Sequence, residues 1–381
     1  MDFNLTEELT MVRDMARGFA NDLLIPNAQR YDREAKLGPE VYEGIGELGL
    51  WGLAIPEEYG GAGMGAIELC VVLMELNRGC ASTGVTVSVH NSLVGVPLKR
   101  HGTAEQKQEW LPKLASGEVI GAYCLTEANA GSDAASLMTS AVRDGDDWVL
   151  NGTKMWVTNG ADAGMFIVYA RTDLGAPKAR GISAFIVPRT SPGLSVGKKE
   201  KKTGIRASST TEILFEDVRV PHANMLGHEG KGFHLAMDTL DGGRIGIASQ
   251  ACGIGQACLE AAVKYSNERE QFNKPIGHFQ AIQWKLADMS THLEASRLLT
   301  FKAAKQRDAD APCSQEAAQA KLFASKTANF CADECLQIHG GAGYTDDFHV
   351  ERLFRDARIT EIYEGATDIQ RIVIARKLLT S

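Results

Sequence analysis

The spacing of hydrophobic positions changes period twice along the chain. Over residues 1–118 apolar residues recur at helical intervals, interrupted by loops such as the Gly-rich 58–63 and resumed at 67–77. From about 120 to 221 the period shortens, and 148–150, 154–158, 165–170, 182–187 and 212–220 read as strands. Asn151-Gly152 is a short-hairpin signal. From about 230 long helical patterns return and continue to the C-terminus, broken near 273–277 and at Gly340-Gly341-Ala342-Gly343. The expected architecture is α+β and multidomain: an all-helical unit at 1–118, a small β-barrel or sandwich unit at 119–227, and a helical bundle at 228–381. A chain of 381 residues exceeds the usual size of one hydrophobic core, which agrees with several units.

The last helix has a distinctive entrance. Thr367 and Gln370 have capping-box spacing, and Ile369, Ile372, Val373 and Leu379 follow at roughly helical intervals. Glu364 then lies on the loop entering that helix, beside Gly365, where the backbone can approach a ligand closely. Such a carboxylate is either a catalytic base or a solvated loop acid.

Composition narrows the classes. With 44% hydrophobic and 23% charged residues the chain reads as an ordinary globular protein, and its net charge of -8 argues against nucleic acid or an anionic membrane as partner. No apolar run approaches the roughly 18 residues that membrane insertion needs. The acidic start, residues 1–8, enters a helix directly, with no signal or transit peptide visible. The eight cysteines are scattered in apolar surroundings, as reduced core thiols are. Cys331 and Cys335 share a helix face with His339 one turn on, but further ligands at metal spacing are lacking, so no metal site is expected.

Several segments could carry chemistry. Residues 123–133 run from a strand into a small-residue loop whose amides and hydroxyls could hold a polar cofactor, or could form an ordinary turn. Alternation puts Lys154, Trp156 and Thr158 on one strand face, where the indole either meets a flat cofactor or packs in the core. Asp241 and Arg244, three apart on a helix beginning near Lys231, form an intrahelical ion pair or part of a ligand site. Arg269 could bind phosphate through its planar fork, or be an exposed arginine at a helix end. The charge run at 198–202 reads as a solvated loop, with contact to a phosphorylated ligand as the alternative. Residues 253–258 lack the preceding strand and last glycine of a dinucleotide fingerprint, and no Walker sequence occurs.

Five separated segments, in order over nearly the whole chain, resemble the acyl-CoA dehydrogenase family: 123–133, 154–160, 269–280, 337–341, and Tyr363-Glu364-Gly365. The resemblance implies that family's fold, with helical, β and four-helix-bundle domains. It also implies an FAD enzyme that converts an acyl-CoA to a trans-2-enoyl-CoA and passes electrons to electron-transfer flavoprotein. The thioester acidifies only the α proton, so a carboxylate takes it while flavin N5 accepts hydride from the unactivated β carbon. Glu364 matches the family's base, and burial beside substrate would raise its pKa toward that of the α proton.

The same resemblance assigns Tyr123, Leu125, Thr126, Ser132, Trp156, Val157, Thr158, Thr367 and Asp368 to FAD, with Trp156 against the isoalloxazine and Thr126 and Thr158 at its polar edge. It places Arg269, Phe272, Gln280, Gln337, Gly340 and Gly341 on FAD across a subunit interface, in a homotetramer built from dimers. Ser132, Asp241, Arg244 and Gly365 would contact the CoA substrate.

Departures refine the match. The family's common Tyr-Glu-Gly-Thr ends here in Ala366, although Thr367 follows. Relatives that carry the base on the earlier helix have it at the position of Gly243, where glycine cannot serve. Glutaryl-CoA enzymes usually carry arginine where Gly84 stands. Residues 88–93 and 240–244 look most like short-chain or short branched-chain members, which implies butyryl-CoA-like substrates, with short branched-chain (isobutyryl or 2-methylbutyryl) or medium-chain acyl-CoA as the alternative. Acyl-CoA oxidases usually have a much longer chain. Two other classes compete: an inactive flavin- or CoA-binding assembly protein, against which Glu364 argues, and a DNA-associated relative, against which the acidic charge argues. The implied compartment is bacterial cytoplasm, or the mitochondrial matrix for a processed eukaryotic form.

Overall fold

A computed structural model describes residues 5–177 and 179–380 of the chain, so the first four residues of the N-terminal reading lie outside the described residues. Helices α1 (Glu7–Phe19), α2 (Ile25–Glu34), α3 (Pro39–Glu47), α4 (Ala66–Gly79), α5 (Ala81–Ser88), α6 (Val96–His101) and α7 (Ala104–Ser116) build the first unit. Thr6 caps α1, and Thr103 caps α7 in a reciprocal box with Gln106. Their apolar faces, among them Leu24, Tyr31, Ile45, Leu73 and Leu76, close a core of their own.

Strands β1 (Gly121–Cys124), β2 (Ser140–Asp144), β3 (Asp147–Thr158), β4 (Met165–Arg171), β5 (Ile182–Pro188), β6 (Leu194–Lys199), β7 (Thr210–Pro221) and β8 (Met225–Leu226) form one sheet in the order β6-β7-β3-β2-β4-β5-β8, with β1 also paired to β4. Residues from both limbs, such as Trp148, Leu150, Phe166, Phe185 and Phe215, face one another across an interior core, giving the expected sandwich-like unit. The opposite face of β4 and β5 packs Ile167, Tyr169 and Ile186 on Leu98, Trp110 and Leu114 of the helices. Because β4 is buried on both faces, its sequence is continuously apolar rather than alternating.

Helix α8 (Gly232–Glu268) leads through a small hairpin of β9 (Glu270–Gln271) and β10 (Lys274–Pro275) to α9 (Gln280–Asp308), α10 (Ser314–His339), α11 (Val350–Arg358) and α12 (Thr367–Thr380). Alanines and cysteines along α8 and α10, including Ala251, Cys258, Ala324, Ala328 and Cys335, line the bundle core, where small side chains let the helices approach closely. All eight cysteines are free and buried, and burial pushes the Cys70 and Cys331 thiols up to about 12.

Four local readings are corrected. Asn151-Gly152 is not a turn: the hairpin closes at Gly145-Asp146, between the paired Asp144 and Asp147. Asn151 lies at a bulge of β3, where its side chain exchanges two hydrogen bonds of 2.9 Å with Asp217 of β7 and so holds the strands in register. Lys154 and Trp156 do not share a face. β3 pairs Lys154 with Ile213 but Val157 with Thr211, and this second bulge sends Lys154 inward and Trp156 outward at φ 55°. The charge run at 198–202 is not wholly a solvated loop, since Lys199 ends β6 and donates to the Ala35 carbonyl while Lys202 donates to that of Ser208. Thr367 and Gln370 form no capping box: Thr367 donates to Glu361 O, and Gln370 turns back onto the loop before the helix.

His90 stitches the helical and β units together. The Gly121 amide donates to its Nδ1 at 3.1 Å, which fixes the proton on Nε2, and Nε2 donates to Leu114 O at 3.0 Å. Burial pushes this imidazole down to about 4, below its ordinary 6.5. The unfolded chain therefore takes up a proton that the folded chain refuses. Stability is complete above about 6.5 and falls as pH drops toward 4, by on the order of 3 kcal/mol from this group. Denaturant titrations from pH 7 to 4 should show a shallower loss in His90→Asn than in the parent protein, and equal slopes would refute the linkage.

Candidate active site

Glu364 stands between a short 3-10 turn, Ile359–Glu361, and α12, with φ 51°, followed by Gly365 at φ 90°. Two successive left-handed residues need holding, and the second is glycine, which adopts that conformation without a Cβ clash. Tyr363 donates its hydroxyl proton to Gln250 Oε1 on α8, and Gln250 donates in turn to Ala81 O at 3.3 Å. Lys321 Nζ on α10 and Gln370 Nε2 both donate to Gly365 O, at 2.6 and 2.7 Å, and Gln370 also reaches Glu364 O at 3.3 Å.

The carboxylate itself is aimed at α8. As a whole the residue is half-buried, but its Oε2 is inaccessible to solvent and has no hydrogen-bond partner among the described residues. A Cβ on Gly243 would lie 1.9 Å from that oxygen and 2.9 Å from Leu93 Cδ2, so glycine is the residue that leaves room for Glu364 here. Burial raises the carboxyl to about 7, against the pull of Lys321 and Arg244. A carboxyl poised near neutrality, with one enclosed oxygen that no described residue partners, is equipped to take a proton from a bound molecule.

Asp241 and Arg244 make the intrahelical ion pair at 2.6 Å, both buried, and Ser314 also donates to Asp241. Arg244 Nε remains buried without a hydrogen-bond partner among the described residues. The charge of Arg244 acts on both Glu364 and Tyr123, which brings the α8 pair, the base candidate and β1 into one neighbourhood.

Tyr123 of β1 packs on Tyr169 with ring centroids 5.1 Å apart, and the strand continues to buried Leu125 and half-buried Thr126. The Met155 amide donates to Thr126 O at 2.8 Å, so the bulge carrying Trp156 is tied to that loop. Beneath it, fully buried Lys154 donates to Leu125 O at 3.1 Å and to Glu127 Oε1 at 2.7 Å. Glu127 also accepts from the Met138 and Thr139 amides at 2.6 and 2.9 Å, closing the loop that carries exposed Ser132. Burial pushes the Glu127 carboxyl up, but Lys154 and these donors outweigh it and hold it below the ordinary value. Trp156 is 56% exposed, with Val157 buried and Thr158 half-buried beside it.

A second group lies at the end of the bundle. Arg269 ends α8, Phe272 tips the β9–β10 hairpin at φ 52° and 87% exposure, and exposed Gln280 starts α9. Gln337, Gly340 and Gly341, at and beyond the end of α10, are likewise exposed, and Tyr265 of α8 stacks on His339 at 4.2 Å between the two sets. Half-buried Thr367 and exposed Asp368 open α12, the latter paired with Arg371 at 2.6 Å.

Sequence reasoning missed Lys321, Gln250, Glu127 and the buried role of Lys154. A signal existed for Lys321, which falls in phase with buried Ala317, Ala324 and Ala328, where a lysine needs a partner. Among the described residues no group of three or more His, Cys, Asp or Glu is placed to hold a metal.

Comparison with known proteins gives a consistent picture. The family models described as acyl-CoA dehydrogenase N-terminal, middle and C-terminal domains match residues 6–118, 122–218 and 230–379. The chain is 49% identical over 377 residues to the mitochondrial short-chain specific acyl-CoA dehydrogenase of Rattus norvegicus, covering 99% of this chain and 91% of that protein. It is similar to the solved butyryl-CoA dehydrogenase of Megasphaera elsdenii, with a TM-score of 0.97, 42% identity and full coverage of both chains. A chain in the structure described as the electron transferring flavoprotein of Acidaminococcus fermentans gives a TM-score of 0.98 at 46% identity, again with full coverage of both.

Proposed function

The chain belongs to the acyl-CoA dehydrogenase family, and from that premise we propose that it dehydrogenates a short-chain acyl-CoA to the trans-2-enoyl-CoA in fatty acid β-oxidation. The observation that carries the site assignment is Glu364: an enclosed carboxylate, raised to about 7 by burial, with an unpartnered oxygen over Gly243. It takes the α proton that the thioester acidifies, while the strained Glu364-Gly365 turn keeps it from swinging away. Gly365 adds close backbone approach to the substrate, and Asp241, Arg244 and Ser132 hold the CoA portion.

The residues fit FAD. Trp156, turned out of the sheet and tied beside Thr126, offers a flat surface with Thr158 at its edge. Tyr123, Leu125, Val157 and Ser132 complete that wall, and Thr367 and Asp368 present the start of α12 to the cofactor's polar part. When bound, FAD supplies the two-electron acceptor that lets the β hydrogen leave as hydride. Arg269, Phe272, Gln280, Gln337, Gly340 and Gly341 reach the FAD of a neighbouring subunit in a homotetramer. Exposed aromatics such as Phe272 at 87% and Tyr344 at 83% support a covered surface there. Electrons pass to electron-transfer flavoprotein. The chain divides at 1–118, 119–227 and 228–381, and acts in bacterial cytoplasm or, in a processed eukaryotic form, the mitochondrial matrix. No described helix is long and apolar enough to cross a membrane.

One feature supports an uncharged acyl group. At Gly84 a Cβ would fall 2.2 Å from the Asn77 amide group, so the chain has no room there for an arginine that could pair a distal carboxylate. Anaerobic titration with butyryl-, isobutyryl-, octanoyl- and glutaryl-CoA, followed by flavin bleaching, is expected to show butyryl-CoA fastest. Flavin bound but bleached by none of the four would overturn the reading.

A further inference from the structure

We propose that Lys321 is a positioning residue for Glu364: its buried ammonium clamps the Gly365 carbonyl and keeps a positive charge near the base. The proposal rests on the dehydrogenase reading and goes beyond it, because α10 supplies no residue of the substrate or flavin sites named above except at its far end.

Lys321 is 1% exposed and stands on the core stripe of α10. An ammonium there has lost its hydration, and the hydrogen bond it makes to Gly365 O at 2.6 Å is therefore a strong, charge-assisted one. Gln370 Nε2 reaches the same oxygen at 2.7 Å. Two donors converging on one carbonyl fix the peptide plane that follows Gly365, and Gln370 also reaches the Glu364 carbonyl at 3.3 Å, at a turn whose two residues both have positive φ. Without that clamp the turn can relax toward ordinary backbone and carry the carboxylate off Gly243.

The charge has a separate effect. Lys321 lowers the proton affinity of Glu364 against the burial that raises it, and Arg244 adds a smaller contribution of the same sign. Burial brings Lys321 itself down to about 8, opposed by Glu364 and Glu361, so it stays charged at neutrality. The other groups facing the pair are Asp241, which neutralises Arg244, Tyr123 from β1, and Tyr363, both phenols held protonated by burial. Lys321 is thus the cation nearest in effect to the base, and the one whose removal leaves Glu364 with Arg244 alone.

The test is the pH dependence of α-hydrogen exchange. Butyryl-CoA in deuterated buffer is incubated anaerobically with the flavin-reduced holoenzyme, where no net oxidation competes, and kcat/KM for dehydrogenation is profiled in parallel. Lys321→Met and Lys321→Gln are expected to move the acidic limb of both profiles up by about one pH unit and to slow exchange on the plateau at least about tenfold. Lys321→Arg, which keeps the charge, should restore the limb. Gln370→Leu, which removes only the second clamp, should slow exchange with the limb unmoved. A limb unmoved in both neutral variants, or a Gln370→Leu limb that moves as far as theirs, overturns the proposal. If the parent protein neither exchanges nor oxidises any acyl-CoA, the dehydrogenase reading fails instead, and the two failures are distinguishable.

Discussion

Replacing Glu364 by glutamine is expected to lower dehydrogenation by on the order of 10⁴-fold while the protein stays yellow and still binds CoA esters. Glutamine nearly matches the carboxylate in size, so the space over Gly243 and the left-handed turn are kept, and what disappears is the proton acceptor. The pH profile gives an independent check. With the carboxyl raised to about 7, the parent enzyme gains activity as pH rises through that value, because only the ionised form accepts a proton. The variant's residual rate should lack this limb. Stopped-flow bleaching by butyryl-CoA from pH 5.5 to 8.5 measures both effects, and a variant that keeps full turnover would remove Glu364 from the mechanism.

That residue could be marked as a candidate before any coordinates because a glycine beside an acid at a helix entrance is a local pattern, and the family resemblance then favoured the base over a solvated loop acid. The same holds for the order of units, the long helices and most strands, whose periods are set by neighbours in sequence. What was not legible depends on contacts between distant segments. Alternation placed Lys154 and Trp156 on one face, and only pairing with β7 shows that an extra residue at 155–156 turns the indole outward. Asn151-Gly152 has the chemistry of a turn, but its side chain is engaged by Asp217, and the chain reverses at Gly145 instead. The phase of Lys321 with the alanines of α10 says that it needs a partner, but only the fold shows that the partner is the entrance of α12. The base candidate was therefore readable, while the contacts that hold it in place were not.

The second large effect concerns the proposed cofactor wall. Glu127→Ala is expected to destabilise the protein by about 3–5 kcal/mol, because it leaves the Lys154 ammonium buried without its counter-charge. It also strips the Met138 and Thr139 amides of their acceptor. The sign of the pH dependence follows from the depressed carboxyl: this contribution is full above the ordinary value of 4.5 and is lost as pH falls further through the folded value. A double replacement, Lys154→Met with Glu127→Leu, removes both charges together and should recover most of the stability, since well-packed apolar side chains can replace a buried ion pair at little cost. It should not recover flavin affinity. Lys154 ties Leu125 to the strand that carries Trp156, and Met155 ties Thr126 to the same bulge, so an apolar pair fills the space without fixing the loop against the indole. Chemical denaturation of all three proteins, with FAD binding read from flavin fluorescence, separates the two roles. If the double variant binds FAD as tightly as the parent, the ion pair serves stability alone and the wall needs no lysine to hold its shape.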